Sequence, residues 1–126
     1  MTTPLLHDPY LYHAVVRPMD VYDGDSVTAS IDLGFGVWLH DQKLRLWGIN
    51  APELRGASRK KGQQARDHLK SLLPEDGSVY IRSHKDAKGK YGRWLAEIIV
   101  QVAPGSVTNV NSSLVAAGHA VHYMRR

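Results

Sequence analysis

Three polar segments of this chain contain residue types that bind cations and phosphoryl groups. They are residues 23–26, Asp-Gly-Asp-Ser; residues 44–53, Leu-Arg-Leu-Trp-Gly-Ile-Asn-Ala-Pro-Glu; and residues 85–93, Lys-Asp-Ala-Lys-Gly-Lys-Tyr-Gly-Arg. In the first segment, Asp25 stands where a strand begins, so its carboxylate is a candidate ligand for a hard cation. Asp-Gly is also a common hairpin-turn dipeptide suited to positive φ, so a plain turn is the alternative interpretation.

The second segment combines an arginine in a predicted strand with polar residues in the turn that follows. Arg45 alternates with leucines, which directs its guanidinium away from the core side chains. Pro52 favours extended geometry in the residue before it, so the turn that carries Asn50 and Glu53 is stiff. An ordinary surface arginine followed by ordinary turn residues would show the same pattern.

The third segment is a basic loop that contains glycine. Lys85, Lys88, Lys90 and Arg93 could lie along a phosphate backbone, and Tyr91 could stack on a base or bind a phosphate. A solvated turn is the simpler interpretation of such a loop. Each segment is weak evidence alone, and the three are informative as a set.

Strand patterns dominate the rest of the chain. Residues 27–33 alternate apolar and polar side chains, the period of a half-buried strand. Further strands are predicted over residues 12–17, 37–40, 42–49, 78–83 and 94–102. Turns at Gly34-Phe35-Gly36 and Pro104-Gly105 separate some of them.

Two helices accompany these strands. Ser58 is a candidate N-cap for the first helix, and Pro74 ends it. Its apolar stripe consists of Ala65, Leu69, Leu72 and Leu73. Residues 111–117 form a short second helix that Gly118 closes. This order of elements predicts an α+β fold, mainly β, in which helices pack on a small closed barrel.

Length and composition set broad limits. The chain has 126 residues and no cysteine, so we expect one domain over residues 1–126 without disulfides or thiolate chemistry. The net charge of +4 is uneven: residues 1–40 carry one base and five acids, and residues 41–126 carry 15 bases and seven acids. A polyanionic partner is therefore plausible. With no signal peptide or membrane span in the sequence, we expect a cytoplasmic monomer that does not contact membranes.

The order and spacing of these segments resemble the staphylococcal nuclease (thermonuclease) family. The resemblance runs from about residue 21 to residue 123 and rests on four stretches. They are Val-Tyr-Asp-Gly-Asp-Ser-Val at 21–27, Arg-Leu-Trp-Gly-Ile-Asn-Ala-Pro-Glu at 45–53, Lys-Tyr-Gly-Arg-Trp-Leu-Ala at 90–96 and Val-Asn-Ser-Ser-Leu-Val-Ala-Ala-Gly at 110–118. The resemblance implies a five-stranded OB-fold barrel with about three helices. It also implies a calcium-dependent endonuclease that cleaves DNA and RNA with little base preference.

The resemblance also implies roles for individual residues. Asp25 matches the metal carboxylate of the family, and Ala51 would offer its backbone carbonyl to the metal. Glu53 matches the glutamate that activates or orients the attacking water. Arg45 and Arg93 match the two arginines on the scissile phosphate. Tyr91 matches a tyrosine near the nucleotide, and Lys85, Lys88 and Lys90 are expected to contact neighbouring phosphates.

One departure from the family pattern affects the metal. Asn50 stands where a second metal aspartate is usual, so we predict weaker calcium binding and a changed preference among divalent cations. The residue types otherwise suit the chemistry, because guanidiniums hold phosphoryl oxygens bidentately and a hard cation neutralises further charge. The main alternative is a non-catalytic OB-fold module that only binds nucleic acid, although such a module has no need of Glu53. A protein-interaction domain with the same fold is a third hypothesis.

Overall fold

The structure is a computed structural model that describes residues 11–84 and 94–123. The strands are β1 (Leu11–Val15), β2 (Val21–Asp23), β3 (Ser26–Gly34), β4 (Val37–Leu46), β5 (Ile49–Asn50), β6 (Ser78–His84), β7 (Trp94–Ala103), β8 (Ser106–Asn109) and β9 (Val121–His122). The helices are α1 (Arg59–Leu72) and α2 (Val110–Ala116), with single 3-10 turns at Pro18–Asp20 and Gly56–Ser58.

Five strands close into a barrel. The neighbours run β1-β6-β7-β4-β3, and β1 pairs with β3 to complete the ring. The β4–β7 pair is parallel and the other pairs of the ring are antiparallel. Strands β2 and β8 extend the edges of β3 and β7, while β5 and β9 form a separate pair. This arrangement confirms the α+β, OB-type barrel that the sequence predicts.

Alternation along β3 builds one wall of the core. Val27, Ala29 and Ile31 are buried, as the period-2 pattern predicts. They belong to the same hydrophobic core as the buried Leu44 and Leu46 of β4. The two strands predicted over residues 37–40 and 42–49 are instead one strand, β4, followed by the short β5. Asp41 has a φ of 57°, and the register with β3 shifts there, so a bulge interrupts the pattern that suggested two strands.

Helix α1 lies where the apolar stripe predicts it, with Ala65 and Leu69 fully buried. Ser58 occupies the N-cap position, but the prediction that its side chain caps the helix is wrong. Its hydroxyl instead donates to the carbonyls of Glu53 and Arg55, at 3.1 and 3.2 Å. In the part of the chain described, no helix has the length and apolar character needed to cross a membrane.

Helix α2 is fixed to the barrel by a buried amide. Asn111 donates to the carbonyls of Trp47 and Ala96 and accepts from the N–H of Ile98. Gly118 has a φ of 80° at the C′ position, which confirms the predicted helix end. Strand β9 then pairs with β5, which places residues 121–122 beside the turn that follows β4.

Candidate active site

The turn between β2 and β3 packs directly against two other segments of the chain. A Cβ atom on Gly24 would lie 2.7 Å from the Cβ of Ala51 and 2.8 Å from the Cβ of Ala65. The expectation that Gly24 serves a positive φ is wrong, because its φ lies outside that region. Glycine is needed here for close approach, and this approach places Asp25 beside the turn after β5.

Asp25 is a buried carboxylate held by three neighbours. Its Oδ2 accepts from the N–H of Ala51 at 2.9 Å and lies 3.1 Å from Nη1 of Arg45. Its Oδ1 accepts from the hydroxyl of Ser26 at 3.3 Å. Both members of the ion pair are largely enclosed, with side-chain exposures of 12% for Asp25 and 13% for Arg45. The charged centre of the site is therefore positioned before any ligand arrives.

Arg45 links the carboxylate to the turn that follows the strand. Its place opposite Ser26 in the β3–β4 register puts both residues at the same end of the barrel. Its Nη2 donates to the side-chain oxygen of Asn50. Nη1 makes no well-formed hydrogen bond within residues 11–84 and 94–123, although it is ion-paired with Asp25. Tyr123 lies beside the guanidinium, with the ring centroid 5.9 Å from Cζ.

A second carboxylate lies close to the first. The Oδ1 atom of Asp23 accepts from the N–H of Asp25 at 3.0 Å. Burial, and after it the charge of Asp25, raise the pKa of Asp23 to about 6. The site therefore concentrates more negative charge than Arg45 alone compensates.

Glu53 is held by its backbone and exposed at its side chain. Its carbonyl accepts from Ser58, and a Cβ atom on Gly62 of α1 would overlap that same carbonyl. The carboxylate is 72% exposed and lies 3.5 Å from Nε of Arg55. Helix α1 thus fixes the backbone position of Glu53, while the carboxylate of Glu53 faces solvent.

The donor set of this site suits a hard cation. It consists of oxygen atoms from Asp23, Asp25 and Asn50, together with nearby backbone carbonyls, and it has no thiolate or imidazole. Within the described residues, no cluster of three His, Asp or Glu side chains is found, so water would have to complete the coordination of such an ion. The pKa of Asp23 is raised first by burial and second by repulsion from Asp25, and a bound cation would relieve that repulsion.

The structure brings together only part of the predicted site. Asp25 contacts Arg45 and the backbone of Ala51, Arg45 also contacts Asn50, and Glu53 follows on the same turn. Five predicted residues lie outside the described residues: Lys85, Lys88, Lys90, Tyr91 and Arg93. A cavity of about 230 Å³ adjoins Arg45 and is bordered by Trp47, Leu95 and Tyr123.

Two residues of the site were not assigned by sequence reasoning. Asp23 belongs to the predicted turn, and its place as a second acid two positions before Asp25 is the signal in the sequence that points to it. No local pattern identifies Tyr123, because its approach to Arg45 depends on the pairing of β9 with β5. Such a long-range contact leaves no local pattern.

Comparisons with known proteins bear on this site. The family model described as Staphylococcal nuclease homologue matches residues 43–126, which include Arg45, Asn50 and Glu53. A protein of Bacillus subtilis (strain 168), Endonuclease YhcR, is 29% identical over 111 residues. That alignment covers 82% of this chain and 8% of the relative, so the chain corresponds to a small part of that protein.

Proposed function

Because the chain belongs to the family of staphylococcal nuclease homologues, we propose that it is a metal-dependent nuclease acting on DNA and RNA. Calcium is the metal we propose, with other divalent cations as alternatives since Asn50 replaces a carboxylate. The reaction is hydrolysis of a phosphodiester bond with little dependence on base sequence.

The observation that carries this proposal is the enclosed Asp25–Arg45 pair. A carboxylate and a guanidinium that are both nearly buried and fixed by the neighbouring backbone are costly to desolvate, so they indicate a functional centre. A guanidinium has five N–H donors, more than Asp25 and Asn50 use. The remaining donors are suited to the oxygens of a phosphoryl group.

Asp25, Asp23 and Asn50 are the residues that would hold the cation, with the backbone carbonyl of Ala51 as a further ligand. A bound divalent cation would supply charge neutralisation at the phosphoryl oxygens and orient a water beside phosphorus. Asn50 keeps an oxygen ligand but removes one negative charge.

The side chains of this chain perform the remaining work. Arg45, joined by Arg93 from the basic loop, would bind the non-bridging oxygens and stabilise the charge that grows on them in the transition state. Glu53 would accept a proton from the attacking water as the new phosphorus–oxygen bond forms. The bond to the leaving oxygen then breaks, and that oxygen takes up a proton from solvent.

A cleavage assay with a matched variant tests the proposal. Purified protein is incubated with single-stranded DNA or RNA and calcium, and then again with a chelator. Glu53→Gln keeps the size of the side chain and removes the base. Cleavage that needs calcium and falls by roughly 10²–10⁴-fold in Glu53→Gln supports the proposal. Binding without cleavage would favour the non-catalytic module, and equal cleavage by Glu53→Gln would exclude Glu53 as the base.

A further inference from the structure

A second groove lies on the outer face of the barrel beside the candidate active site. It has a volume of about 330 Å³ and crosses three adjacent strands, β2, β3 and β4. Its principal side chains are Tyr22, Asp23, Ser26, Thr28 and Lys43. This groove is separate from the cavity beside Arg45 and Tyr123.

The two side chains at the rim of the groove are open to solvent. Tyr22 is 73% exposed although its neighbour in β2, Val21, is buried. Lys43 is exposed and pairs with Thr28 in the β3–β4 register. Across residues 11–84 and 94–123, neither the Tyr22 hydroxyl nor the Lys43 ammonium has a hydrogen bond or ion pair, so both are available to a ligand.

The groove adjoins the candidate active site through Asp23 and Ser26. Ser26 lines it and also donates its hydroxyl to Asp25. Asp23 forms the end of the groove nearest the site, and Lys43 is two residues before Arg45 on the same face of β4. Because Lys43 and Arg45 lie on the same face of β4, a substrate strand bound at Arg45 can reach this groove.

We propose that the groove is a nucleotide subsite, in which Tyr22 stacks on a base and Lys43 binds the phosphate next along the substrate strand. This inference rests on the proposed nuclease function and adds a position beyond the cleaved bond. An aromatic ring beside a cation is the combination that binds one nucleotide of a single strand without reading its sequence. The acidic end of the groove at Asp23 directs the phosphate towards the Lys43 end.

Abasic scanning tests the stacking contact. The substrates are hexanucleotides with one ordinary phosphodiester and phosphorothioates elsewhere, each with a single base removed at a different position. Tyr22→Ala is expected to lower kcat/KM by about tenfold on the complete strand. On the strand that lacks the base bound in the groove, Tyr22→Ala and wild type should be equal. A tenfold loss that persists with every abasic strand would overturn the proposal.

Two control variants match the changes in side chain and charge. Phe35→Ala removes a fully exposed aromatic ring from the tip of the β3–β4 hairpin, at the other end of those strands. Lys70→Gln removes one positive charge from the last turn of α1. Both should bind and cleave like wild type, and a tenfold loss in either would show that the Tyr22 and Lys43 effects are not local.

Binding without metal separates this proposal from the nuclease proposal. Fluorescence anisotropy of a labelled hexanucleotide should show about tenfold weaker binding by Tyr22→Ala. For Lys43→Gln, the slope of log K against log salt should fall by about 0.7, the value for one lost phosphate contact on a single strand. If both variants weaken binding in this way but the protein never cleaves, the nuclease proposal fails, whereas the groove is still supported as a binding site for one nucleotide. If the protein cleaves but neither variant alters binding, the groove proposal fails alone.

Discussion

The two carboxylates at the centre of the proposed chemistry are held in opposite ways. Asp25 is 9% exposed and touches Arg45, Ser26 and the backbone of Ala51. The side chain of Glu53 is 72% exposed, and within the described residues its carboxylate contacts only Arg55. One carboxylate is fixed through its oxygens, whereas the other is fixed only at its backbone.

Because of this difference, the contribution of each carboxylate to folding stability can be distinguished from its contribution to catalysis. A buried charge pair is expensive to break, because the remaining charge has lost its partner and has little access to water. An exposed carboxylate with a loose ion pair contributes little to folding. Substitutions of Asp25 and Glu53 should both lower activity strongly, but they should differ sharply in their effect on the free energy of unfolding.

Asp25→Asn is expected to have the largest effect. It leaves the enclosed Arg45 without the carboxylate with which it is paired, so the free energy of unfolding should fall by about 3 kcal/mol. Activity should fall by at least about 10³-fold, because the proposed cation site and the position of the guanidinium are lost together. Urea denaturation and a cleavage assay measure the two effects. Unchanged stability would mean that the ion pair is not enclosed as described.

Glu53→Gln should give the complementary result. We expect a loss of activity of about 10³-fold with the free energy of unfolding unchanged within about 0.5 kcal/mol. Arg55→Gln, which removes the ion-pair partner of Glu53, is the matched control and should change stability equally little. If Glu53→Gln destabilised the protein as much as Asp25→Asn, the contrast between the two carboxylates would be wrong.

Gly62→Ala tests whether helix α1 positions Glu53 through its backbone. Alanine normally stabilises a helix interior by about 1 kcal/mol relative to glycine. At this position the new methyl group would overlap the carbonyl of Glu53. We therefore expect the free energy of unfolding to fall by about 2 kcal/mol and activity to fall with it.

Gln64→Ala provides the control for Gly62→Ala on the exposed face of the same helix. It should keep or slightly raise stability, since it adds helix propensity without a clash. A stabilising Gly62→Ala would show that α1 can shift away and does not fix the turn of Glu53.

The sequence predicts the elements of this fold better than their junctions. The alternation at Val27, Ala29 and Ile31 identifies β3, and the positive φ of Gly118 is readable from the end of a helical pattern. Those signals are local. The need for glycine at positions 24 and 62 arises from segments that meet only after folding, so no neighbouring residue reports it. The bulge at Asp41 likewise depends on pairing with β3.

The candidate site divides in the same way. Asp25, Arg45 and Glu53 stand in recognisable stretches, so their candidacy follows from residue type and spacing. The ion pair between Asp25 and Arg45 follows instead from the register that sets Ser26 opposite Arg45. The enclosure of one carboxylate and the exposure of the other are consequences of packing, and they could not be read from the chain.

Asn50→Asp bears on the buried half of the site alone. It adds a negative charge next to Arg45, which also pairs with Asp25, and we expect calcium affinity to rise about tenfold in isothermal titration, because an added carboxylate ligand strengthens a calcium site. The side-chain oxygen of Asn50 already accepts from Arg45, and aspartate can do the same. Equal affinities in the variant and wild type would indicate that Arg45 retains this oxygen and that residue 50 is not a metal ligand.

Asp23→Asn is expected to have the smallest effect, and its sign depends on pH. The folded-state pKa of Asp23 is raised from 3.8 to about 6 by burial and then by Asp25, so ionisation costs stability as pH rises through that window. Without metal, Asp23→Asn should therefore raise the free energy of unfolding by about 1 kcal/mol at pH 7, a value already reduced because the side chain is partly exposed. Below about pH 4, where Asp23 is protonated in both states, the substitution should have no effect. The amide oxygen can still accept from the N–H of Asp25, so the turn is kept. Urea denaturation at both pH values measures this change in stability. In an Asp25→Asn background the stabilisation at pH 7 should be smaller, because the charge that repels Asp23 is gone. A gain of the same size at pH 4 and pH 7 would locate the effect outside the ionisation of Asp23.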